Sequence, residues 1–274
     1  MTTRRRTLLG AAAATLALPT LALAQQRRSL KDPMRLGADQ ALVDSGLATA
    51  LLKGFGRDTG IAVQLVAGSA LPLLDTLERG ELDAALTNAP EAEQRLEKEG
   101  LLHDRRPVAE SALLLVGPAP QRKTPDPAGV ARLTDIAQAL VQVRDAALAA
   151  APGGVVFLSA GGGSGTHAAE QALWRAAQVA PAAPWYLTAA PSPALALQAR
   201  RRGAYALVER GAWLAQAGAP LAVLVEGDPR MSLPVHVMRA FRVNHPAAKL
   251  FSAWITGPKG RRVVAALRGY RVPG

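Results

Sequence analysis

The chain has 274 residues, 49% of them hydrophobic, which is enough to bury the core of one large domain or two smaller ones. It contains no cysteine, which excludes disulfides, thiol catalysis and cysteine-ligated metal sites. A formal net charge of +11 is typical of proteins that bind nucleic acid, but an aromatic content of 4% leaves few side chains for base stacking.

Residues 1–24 are predicted to be a twin-arginine-like signal peptide. Three arginines at 4–6 precede an alanine- and leucine-rich run, and Ala22-Leu23-Ala24 matches a small-residue cleavage site. Arg5-Arg6-Thr7-Leu8-Leu9 matches the twin-arginine pattern, and a Sec signal with three arginines is the alternative. The apolar run is short and interrupted by Pro19, so no lasting membrane anchor is expected. We therefore expect a periplasmic protein with no nucleic-acid partner.

Strand and helix patterns alternate along the remainder of the chain. Predicted strands cover residues 34–37, 61–66, 82–90 (with a turn), 111–117, 155–158, 184–187, 204–208, 221–225 and 234–238. Predicted helices cover about residues 47–55, 73–79, 91–99, 133–150, 166–179, 195–199, 210–214, 250–255 and 263–267. Residues 38–46 are predicted to form a loop. This alternation predicts an α/β fold with mainly parallel strand pairing.

The most informative stretch runs from Val155 to His167. An apolar strand breaks into glycines and small hydroxyl residues, and a helix follows from Thr166. The first amides of a helix have no intrahelical partner and carry partial positive charge, so this arrangement predicts an anion cradle. No lysine follows the last glycine, which excludes a Walker A loop, and the dinucleotide fingerprint is incomplete. A flexible strand-to-helix connection is the alternative.

Four strands end in small-residue loops that open helices, after Leu36, Val66, Leu158 and Leu187. Ligands of α/β sheets sit at the carboxyl ends of strands, so these loops are expected to surround one small ligand. The candidate ligand-binding residues are Asp39, Gln40, Ser69, Ser159, Ser164, Gly165, Thr166 and Ser192. For Asp39, the alternative is a solvent-facing acid or a helix N-cap, and for Ser69 and Thr166 it is a role as helix caps.

A series of short motifs runs in order from Arg35 to Gly269. They are Asp44-Ser45-Gly46-Leu47, Asn88-Ala89-Pro90-Glu91-Ala92-Glu93, Arg106-Pro107-Val108, Val116-Gly117-Pro118, Asp126-Pro127-Ala128-Gly129, Ser164-Gly165-Thr166-His167, Trp185-Tyr186-Leu187, Glu209-Arg210-Gly211 and Leu224-Val225-Glu226-Gly227-Asp228-Pro229. Together they resemble the periplasmic tungstate-binding proteins of ABC transporters, which have the type 2 solute-binding fold.

The resemblance implies two α/β lobes with mixed, mainly parallel sheets and a ligand cleft between them. Lobe 1 would comprise residues 35–116 and 230–274, and lobe 2 residues 117–229, with crossings near Val116-Gly117 and near 225–230. The implied function is that of a monomeric solute-binding protein, which captures a tungstate- or molybdate-like oxyanion and delivers it to a membrane permease. A periplasmic ligand sensor or accessory binding protein is the alternative.

The sequence departs from the family pattern at the implied ligand contacts. Family members carry threonines and a serine where this chain has residues 38–43, and an arginine where it has Ala160. Their threonine- and glycine-rich stretch after Trp-Tyr is replaced by residues 189–193. We therefore expect any anion in this cleft to depend on backbone amides and hydroxyls.

Neither an enzyme nor a metalloprotein is expected. Ser164 beside His167 would suit a nucleophilic hydrolase, but there is no G-x-S-x-G elbow and no orienting acid. No two histidines have ligand spacing, and Asp39 with Asp44 supplies too few metal ligands. We therefore expect no catalytic residue, no metal and no cofactor.

Overall fold

The computed structural model describes residues 29–122, 124–151, 153–191, 194–216 and 221–274. The predicted signal peptide at 1–24 and the candidate residue Ser192 lie outside the described residues.

Strands and helices alternate through the described ranges. The strands are β1 (Met34–Asp39), β2 (Val63–Gly68), β3 (Ala84–Thr87), β4 (Leu102–Pro118), β5 (Phe157–Ser159), β6 (Tyr186–Thr188), β7 (Ala206–Glu209), β8 (Leu221–Val225) and β9 (Ser232–Ala240). The α-helices are α1 (Gln40–Asp44), α2 (Leu47–Thr59), α3 (Ala70–Glu78), α4 (Pro90–Lys98), α5 (Ile136–Ala149), α6 (Gly165–Ala176), α7 (Leu195–Arg202), α8 (Arg210–Gln216), α9 (Pro246–Thr256) and α10 (Pro258–Ala265). A single 3₁₀ turn, Pro229–Met231, precedes β9.

Each predicted strand has a counterpart, but two predictions at the element level are wrong. Residues 38–46 are not a continuous loop, because residues 40–44 form helix α1, which is too short to show a helical period in the sequence. Strand β4 begins at Leu102 rather than at Ser111, and its first half is charged and contains Pro107. The register of its pairing with β9 shifts between Pro107 and Ala109, where the ladder accommodates the proline.

A seven-stranded sheet and a two-stranded sheet form the framework. The large sheet has the order β2-β1-β3-β9-β4-β7, with β8 also paired to β4, and β5 pairs with β6 in the small sheet. Strand β1 is parallel to β2 and to β3, and β5 is parallel to β6. Strand β9 is antiparallel to β3 and to β4, so the large sheet is mixed.

Strand β4 belongs to two packing units, which we call the first and second lobes. Up to Ala112 it pairs with β9 in the first lobe, and from Leu113 it pairs with β7 and β8 in the second. The first lobe is built on β1, β2, β3 and β9, with Phe55 and Phe251 in its core. The second is built on β5 to β8, with aromatic Trp174 in its core. The change of partner lies shortly before the predicted crossing, and the lobe boundaries predicted from the sequence remain a prediction.

Three strands end at the junction between the lobes. Strand β1 ends at Asp39 and leads directly into α1, and β2 ends at Gly68, one residue before the N-cap of α3. Because β1 and β2 are parallel, their carboxyl ends share one edge of the sheet. From the second lobe, β5 ends at Ser159 and a glycine loop leads into α6. The topology therefore brings the starts of α1, α3 and α6 together.

Gly117 lies in a closely packed part of β4 in the second lobe. A Cβ atom at this position would lie 2.6 Å from the ring of Tyr205 and 2.7 Å from a Leu224 methyl. The Tyr205 hydroxyl donates to Asp126 over 2.7 Å, so the ring cannot easily move away. We expect Gly117→Ala to lower the free energy of unfolding in urea by about 1–3 kcal/mol.

The matched control is Gly56→Ala, inside helix α2. There a new Cβ would have only the Ile61 carbonyl oxygen within 4 Å, at 3.8 Å. Since alanine is the better helix former, we expect this variant to gain about 0.5–1 kcal/mol. Equal effects of the two substitutions would show that β4 is not tightly packed at Gly117.

Candidate functional site

The carboxyl group of Asp39 lies at the junction of the two lobes and is fully buried. Its Oδ1 accepts a hydrogen bond from the Ala41 amide at 3.0 Å, within α1. Its Oδ2 accepts from the amide of Ala70, the first residue of α3, at 3.0 Å. The same oxygen accepts from the amide of Gly165, the first residue of α6, also at 3.0 Å. One carboxyl group therefore receives backbone amides from three helices and from both lobes.

These donors suit an anion because the first amides of a helix have no intrahelical acceptor. The longer helices α3 and α6, of nine and twelve residues, also direct the positive ends of their dipoles towards the carboxyl group. Asp39 is the formal N-cap of α1 through its bond to Ala41. Asp39 is thus the helix N-cap that the sequence suggested as an alternative. It also binds the first amides of two further helices.

The glycine loop has a conformation that side chains would strain. Gly161, Gly162 and Gly163 have φ angles of 58°, 63° and 74°, in the left-handed region that favours glycine. The loop also touches the first lobe, because the Leu71 amide donates to the Gly163 carbonyl oxygen at 2.9 Å. A Cβ atom on Gly165 would lie only 1.8 Å from Oδ1 of Asn88 in the first lobe. Glycines therefore allow the lobes to approach this closely.

Two of the candidate serines hold the glycine loop and α6 in place. Buried Ser159 accepts a hydrogen bond from the Gly161 amide at 3.2 Å. Ser164 is the N-cap of α6, and its Oγ accepts from the His167 backbone amide at 3.1 Å. This bond uses the backbone of His167, so the Ser164 hydroxyl has a structural role in the described conformation.

A cavity of about 150 Å³ lies beside the Asp39 carboxyl group, between the lobes. The candidate residues that line it are Asp39, Gln40, Ser69, Ser164 and Thr166. Ser159 and Gly165 are not among its lining residues, although Gly165 binds Asp39 directly. Ser192 lies outside the described residues, so the structure does not place it.

Two further carboxyl groups line the cavity, those of Asp44 and Glu209. Asp44 accepts a hydrogen bond from Nε2 of Gln40 at 2.8 Å. Glu209 accepts from the Ser111 hydroxyl and, at 2.7 Å, from the Ala212 amide. No lysine or arginine belongs to the lining among the residues that the structure describes. The lining of the cavity is therefore acidic, whereas an anion site built on basic side chains would be lined by lysine or arginine.

Burial raises the pKa values of two carboxyl groups that line the cavity, those of Asp39 and Glu209. It raises the pKa of Asp39 above its ordinary value, against the lowering effect of the Gly165, Ala41 and Ala70 amides. Burial likewise raises the pKa of Glu209, against its hydrogen bonds from Ser111 and nearby amides. Both groups are thus easier to neutralise than an exposed carboxylate.

The sequence-based candidates omitted three residues at this junction. Asn88 and Glu209 are fully or almost fully buried, and each belongs to a motif shared with the resembled family. The hydroxyl of Tyr270, near the C-terminus, donates to Oγ of Ser45 at 2.6 Å. A search for polar residues within motifs would have found Asn88 and Glu209, whereas no sequence signal pointed to Tyr270.

Glu170 on α6 forms a second buried polar cluster behind the loop. It is fully buried, and its Oε1 accepts from the Tyr186 hydroxyl at 2.5 Å. Tyr186 in turn accepts from Nε2 of Gln171 at 2.7 Å. Burial raises the pKa of Glu170 from 4.5 to about 7, against the lowering effect of Tyr186. The cluster anchors α6 to β6 and so supports the start of α6 at the cleft.

The described parts of the chain contain no group of three or more His, Asp or Glu side chains arranged to hold a metal ion. Across the same ranges, no helix has the length and apolar character needed to cross a lipid bilayer.

Comparison with known proteins gives consistent matches. A family model described as the PBP superfamily domain matches residues 37–259. A tungstate-binding protein of Peptoclostridium acidaminophilum is 29% identical over 248 residues, which are 87% of this chain and 82% of that protein.

Two solved structures extend the match. The tungstate ABC transporter structure from Geobacter sulfurreducens is 27% identical, with a TM-score of 0.70 over 85% of this chain and 98% of that one. The tungstate-binding protein of Desulfovibrio alaskensis G20 is 25% identical, with a TM-score of 0.66 over 89% of this chain and all of that one. These matches confirm the predicted two-lobed α/β fold class and the resemblance indicated by the motifs.

The pH dependence of stability tests the environment of Glu170. The folded protein binds a proton at Glu170 more tightly than the unfolded chain does. The protonated Glu170 carboxyl group therefore contributes fully to the free energy of unfolding below about pH 4.5. This contribution is lost as the pH rises through about 7. A shift from 4.5 to about 7 corresponds to about 3 kcal/mol. We expect Glu170→Gln to gain roughly this much relative to wild type between pH 4.5 and pH 8, measured by urea unfolding.

Glu97→Gln is the matched control, because it removes one carboxyl group at an exposed position of α4. If both variants showed the same pH dependence relative to wild type, burial of the Glu170 carboxyl group would not govern its protonation.

Proposed function

The chain belongs to the PBP superfamily, and on this basis we propose a function. We propose that it is the solute-binding protein of an ABC-type importer. Its proposed ligand is a small oxyanion of the tungstate or molybdate class. The relatives named as tungstate-binding proteins support this assignment, since they match most of the chain.

The convergence of three backbone amides at the lobe junction carries the proposal. Ala41, Ala70 and Gly165 direct their N–H groups to one buried carboxyl group, whose two oxygens already accept them. Tetrahedral oxyanions are bound by the same kind of donor at helix N-termini. The cavity of about 150 Å³ is also well below the roughly 300–1,000 Å³ typical of sites for drug-sized molecules. These features favour a compact anion over a sugar or a peptide.

Hydroxyl groups complete the proposed ligand site. Ser69 is the N-cap residue of α3 but makes no side-chain capping bond, so its hydroxyl is available to a ligand. Thr166 is almost fully buried, lines the cavity, and its Oγ1 has no hydrogen-bond partner among the described residues. Ser164 also lines the cavity. We include Ser159 and Ser192 in the site on the basis of the sequence alone. With Ala160 at the position of the family's arginine, recognition would depend on dipoles rather than on a fixed positive charge.

The two lobes would deliver the ligand by opening and closing. We propose residues 35–116 with 230–274 as lobe 1 and residues 117–229 as lobe 2. The connections at β4 and before β9 would act as hinges, as in other periplasmic binding proteins. The partner would be a membrane permease, and the chain would act as a periplasmic monomer, which light scattering can check. Export by the twin-arginine route remains a prediction from residues 1–24.

A periplasmic ligand sensor or accessory binding protein is the second candidate. The buried Asp39 carboxyl group among the anion-binding amides favours it, because such a group opposes rapid solute capture. Tungstate uptake in cells that lack the protein separates the two functions. Loss of uptake supports transport, and unchanged uptake supports the sensor.

We propose no catalytic role. The Ser164 hydroxyl is used as a helix cap through the backbone of His167, which argues against an activated nucleophile. Labelling of Ser164 by a serine-reactive fluorophosphonate would contradict this view.

Thermal unfolding with a panel of anions tests the proposed ligand class. Tungstate, molybdate, sulfate, phosphate and acetate are compared at millimolar concentration. Because a ligand stabilises the folded state in proportion to RT ln(1 + [L]/Kd), tungstate or molybdate at 100 times Kd should add about 2.7 kcal/mol. If none of the tetrahedral oxyanions raises the melting temperature, the chain does not bind this class of ligand.

Ser69→Ala tests the hydroxyl contacts. Removal of one hydrogen bond to a charged ligand should weaken tungstate binding about tenfold or more in calorimetry. The matched control is Ser232→Ala, at an exposed position at the start of β9 that does not line the cavity. Identical affinities of the two variants would remove Ser69 from the site.

A further inference from the structure

We propose that Asp39 is an internal ligand of the cleft. Its carboxyl group occupies the oxyanion position, holds the two lobes together without solute, and has to leave before an oxyanion can bind. The proposal rests on the proposed function only for the identity of the competing solute. The internal ligand itself follows from the hydrogen bonds of Asp39.

Asp39 uses the donors that an oxyanion would need. Both of its carboxyl oxygens are engaged, Oδ1 by the Ala41 amide and Oδ2 by those of Ala70 and Gly165, each at 3.0 Å. The group has no exposed surface. An N–H group that already donates to a buried carboxyl oxygen cannot donate equally well to a second anion. Asp39 and a bound oxyanion therefore exclude each other at these amides.

The hydrogen bond from the Gly165 amide to Asp39 crosses between the lobes. Asp39 and Ala70 belong to the first lobe, whereas Gly165 begins α6 in the second. Closing on a ligand held by both halves is how hinged binding proteins shut. Here the bridging group is part of the chain itself. The neighbouring bond from Leu71 to Gly163, at 2.9 Å, crosses the same junction.

The cavity beside Asp39 carries acidic side chains. Asp44 and Glu209 also line the cavity, and no basic side chain lines it in the part of the chain that the structure describes. An oxyanion placed beside Asp39 would therefore add to an acidic surface without a counter-charge, and close like charges in a poorly solvated site repel strongly. Replacement of the Asp39 carboxyl group is favoured over simultaneous occupancy, because only replacement provides the amides.

Buried polar groups near Asp39 would be left for the solute when Asp39 is displaced. Thr166 Oγ1, and both side-chain polar atoms of Asn88, are buried and lack hydrogen-bond partners among the described residues. Unpaired buried polar atoms are uncommon, and a bound water or ion is one of the partners that can satisfy them. Thr166 lines the cavity, and Asn88 packs against Gly165. The solute would thus gain polar contacts that Asp39 does not make.

The consequence is weakened but tunable affinity. A tethered competitor is present at high effective concentration, so a solute binds only the fraction of molecules in which Asp39 has left the amides. The apparent Kd equals the intrinsic Kd divided by that fraction, and it is therefore larger than the intrinsic Kd. Asp39 would therefore set the concentration at which the protein responds to its solute.

The test compares Asp39→Ala with Asp44→Ala. Both variants remove one carboxyl group from the cavity, but only Asp39→Ala frees the three amides, since Asp44 binds Gln40. Tungstate affinity is measured by calorimetry on the purified protein. We expect Asp39→Ala to bind at least about tenfold more tightly than Asp44→Ala, because it removes a competitor held by three hydrogen bonds. Weaker or equal binding by Asp39→Ala would overturn the proposal.

Small-angle X-ray scattering without solute provides a readout that does not depend on tungstate. Wild type and Asp44→Ala should keep the compact radius of gyration, and Asp39→Ala should show a larger one. An unchanged radius for Asp39→Ala would overturn the role of Asp39 in holding the lobes. If Asp39→Ala opens but no variant binds any oxyanion, the internal ligand stands and the proposed function fails.

Asp39→Asn keeps the test decisive if the alanine variant does not fold. It preserves the side-chain shape but offers one acceptor oxygen in place of two. We expect the same directions with smaller changes, namely a larger radius without solute and tighter tungstate binding than Asp44→Ala. A folded Asp39→Asn protein that matches wild type in both measurements would overturn the proposal.

Discussion

The hydrogen bonds from three backbone amides to the Asp39 carboxyl group are the interaction on which the cleft depends. Two of the amides come from the first lobe and the third, from Gly165, comes from the second. Each donor lies near the start of a helix that follows a strand, and the sheet fixes where that strand ends. The parallel pairing of β1 with β2 sets the first two, and the short strand β5 sets the loop that leads to the third. The sheets therefore place the donors, and the carboxyl group joins them.

Glycine makes the close approach of the lobes sterically possible. Three consecutive residues, Gly161 to Gly163, adopt left-handed backbone angles that a side chain would strain. Gly165 lies so near Asn88 that any side chain would force the lobes apart. The backbone amide of Gly165 donates to Asp39 at this point of closest approach. Tight closure at this point thus arises from one local property, the absence of side chains on these glycines.

The proposed anion site would have to work without a basic side chain, since none lines the cavity among the described residues. Helix-start amides supply partial positive charge, and hydroxyl groups such as that of Ser69 supply further donors. In this acidic cavity the charge of any occupant has to be balanced by dipoles alone. Burial also raises the pKa values of Asp39 and Glu209, so that both groups are more easily neutralised. Selectivity would then come from the shape of the donor set more than from net charge.

The sequence by itself determined the α/β alternation, the glycine loop and the family resemblance. These features are local, because hydrophobic period, turn residues and motif order can be read within short windows. The windows also led to some of the residues that line the cavity, since strand ends followed by small residues mark ligand sites in α/β folds, but not to Asp44 or Glu209. They missed α1 and the first half of β4, where a one-turn helix and a charged strand with Pro107 show no clear period.

Only the tertiary structure decided what Asp39 does. In the sequence it is an acid at the end of a strand, equally suited to capping a helix, facing solvent or touching a ligand. Its partners Ala70 and Gly165 lie 31 and 126 residues away along the chain. No local pattern encodes such a contact, because it exists only when two sheets and three helices have been packed into two closed lobes. The acid at the centre of the cleft thus acquired its role from long-range packing.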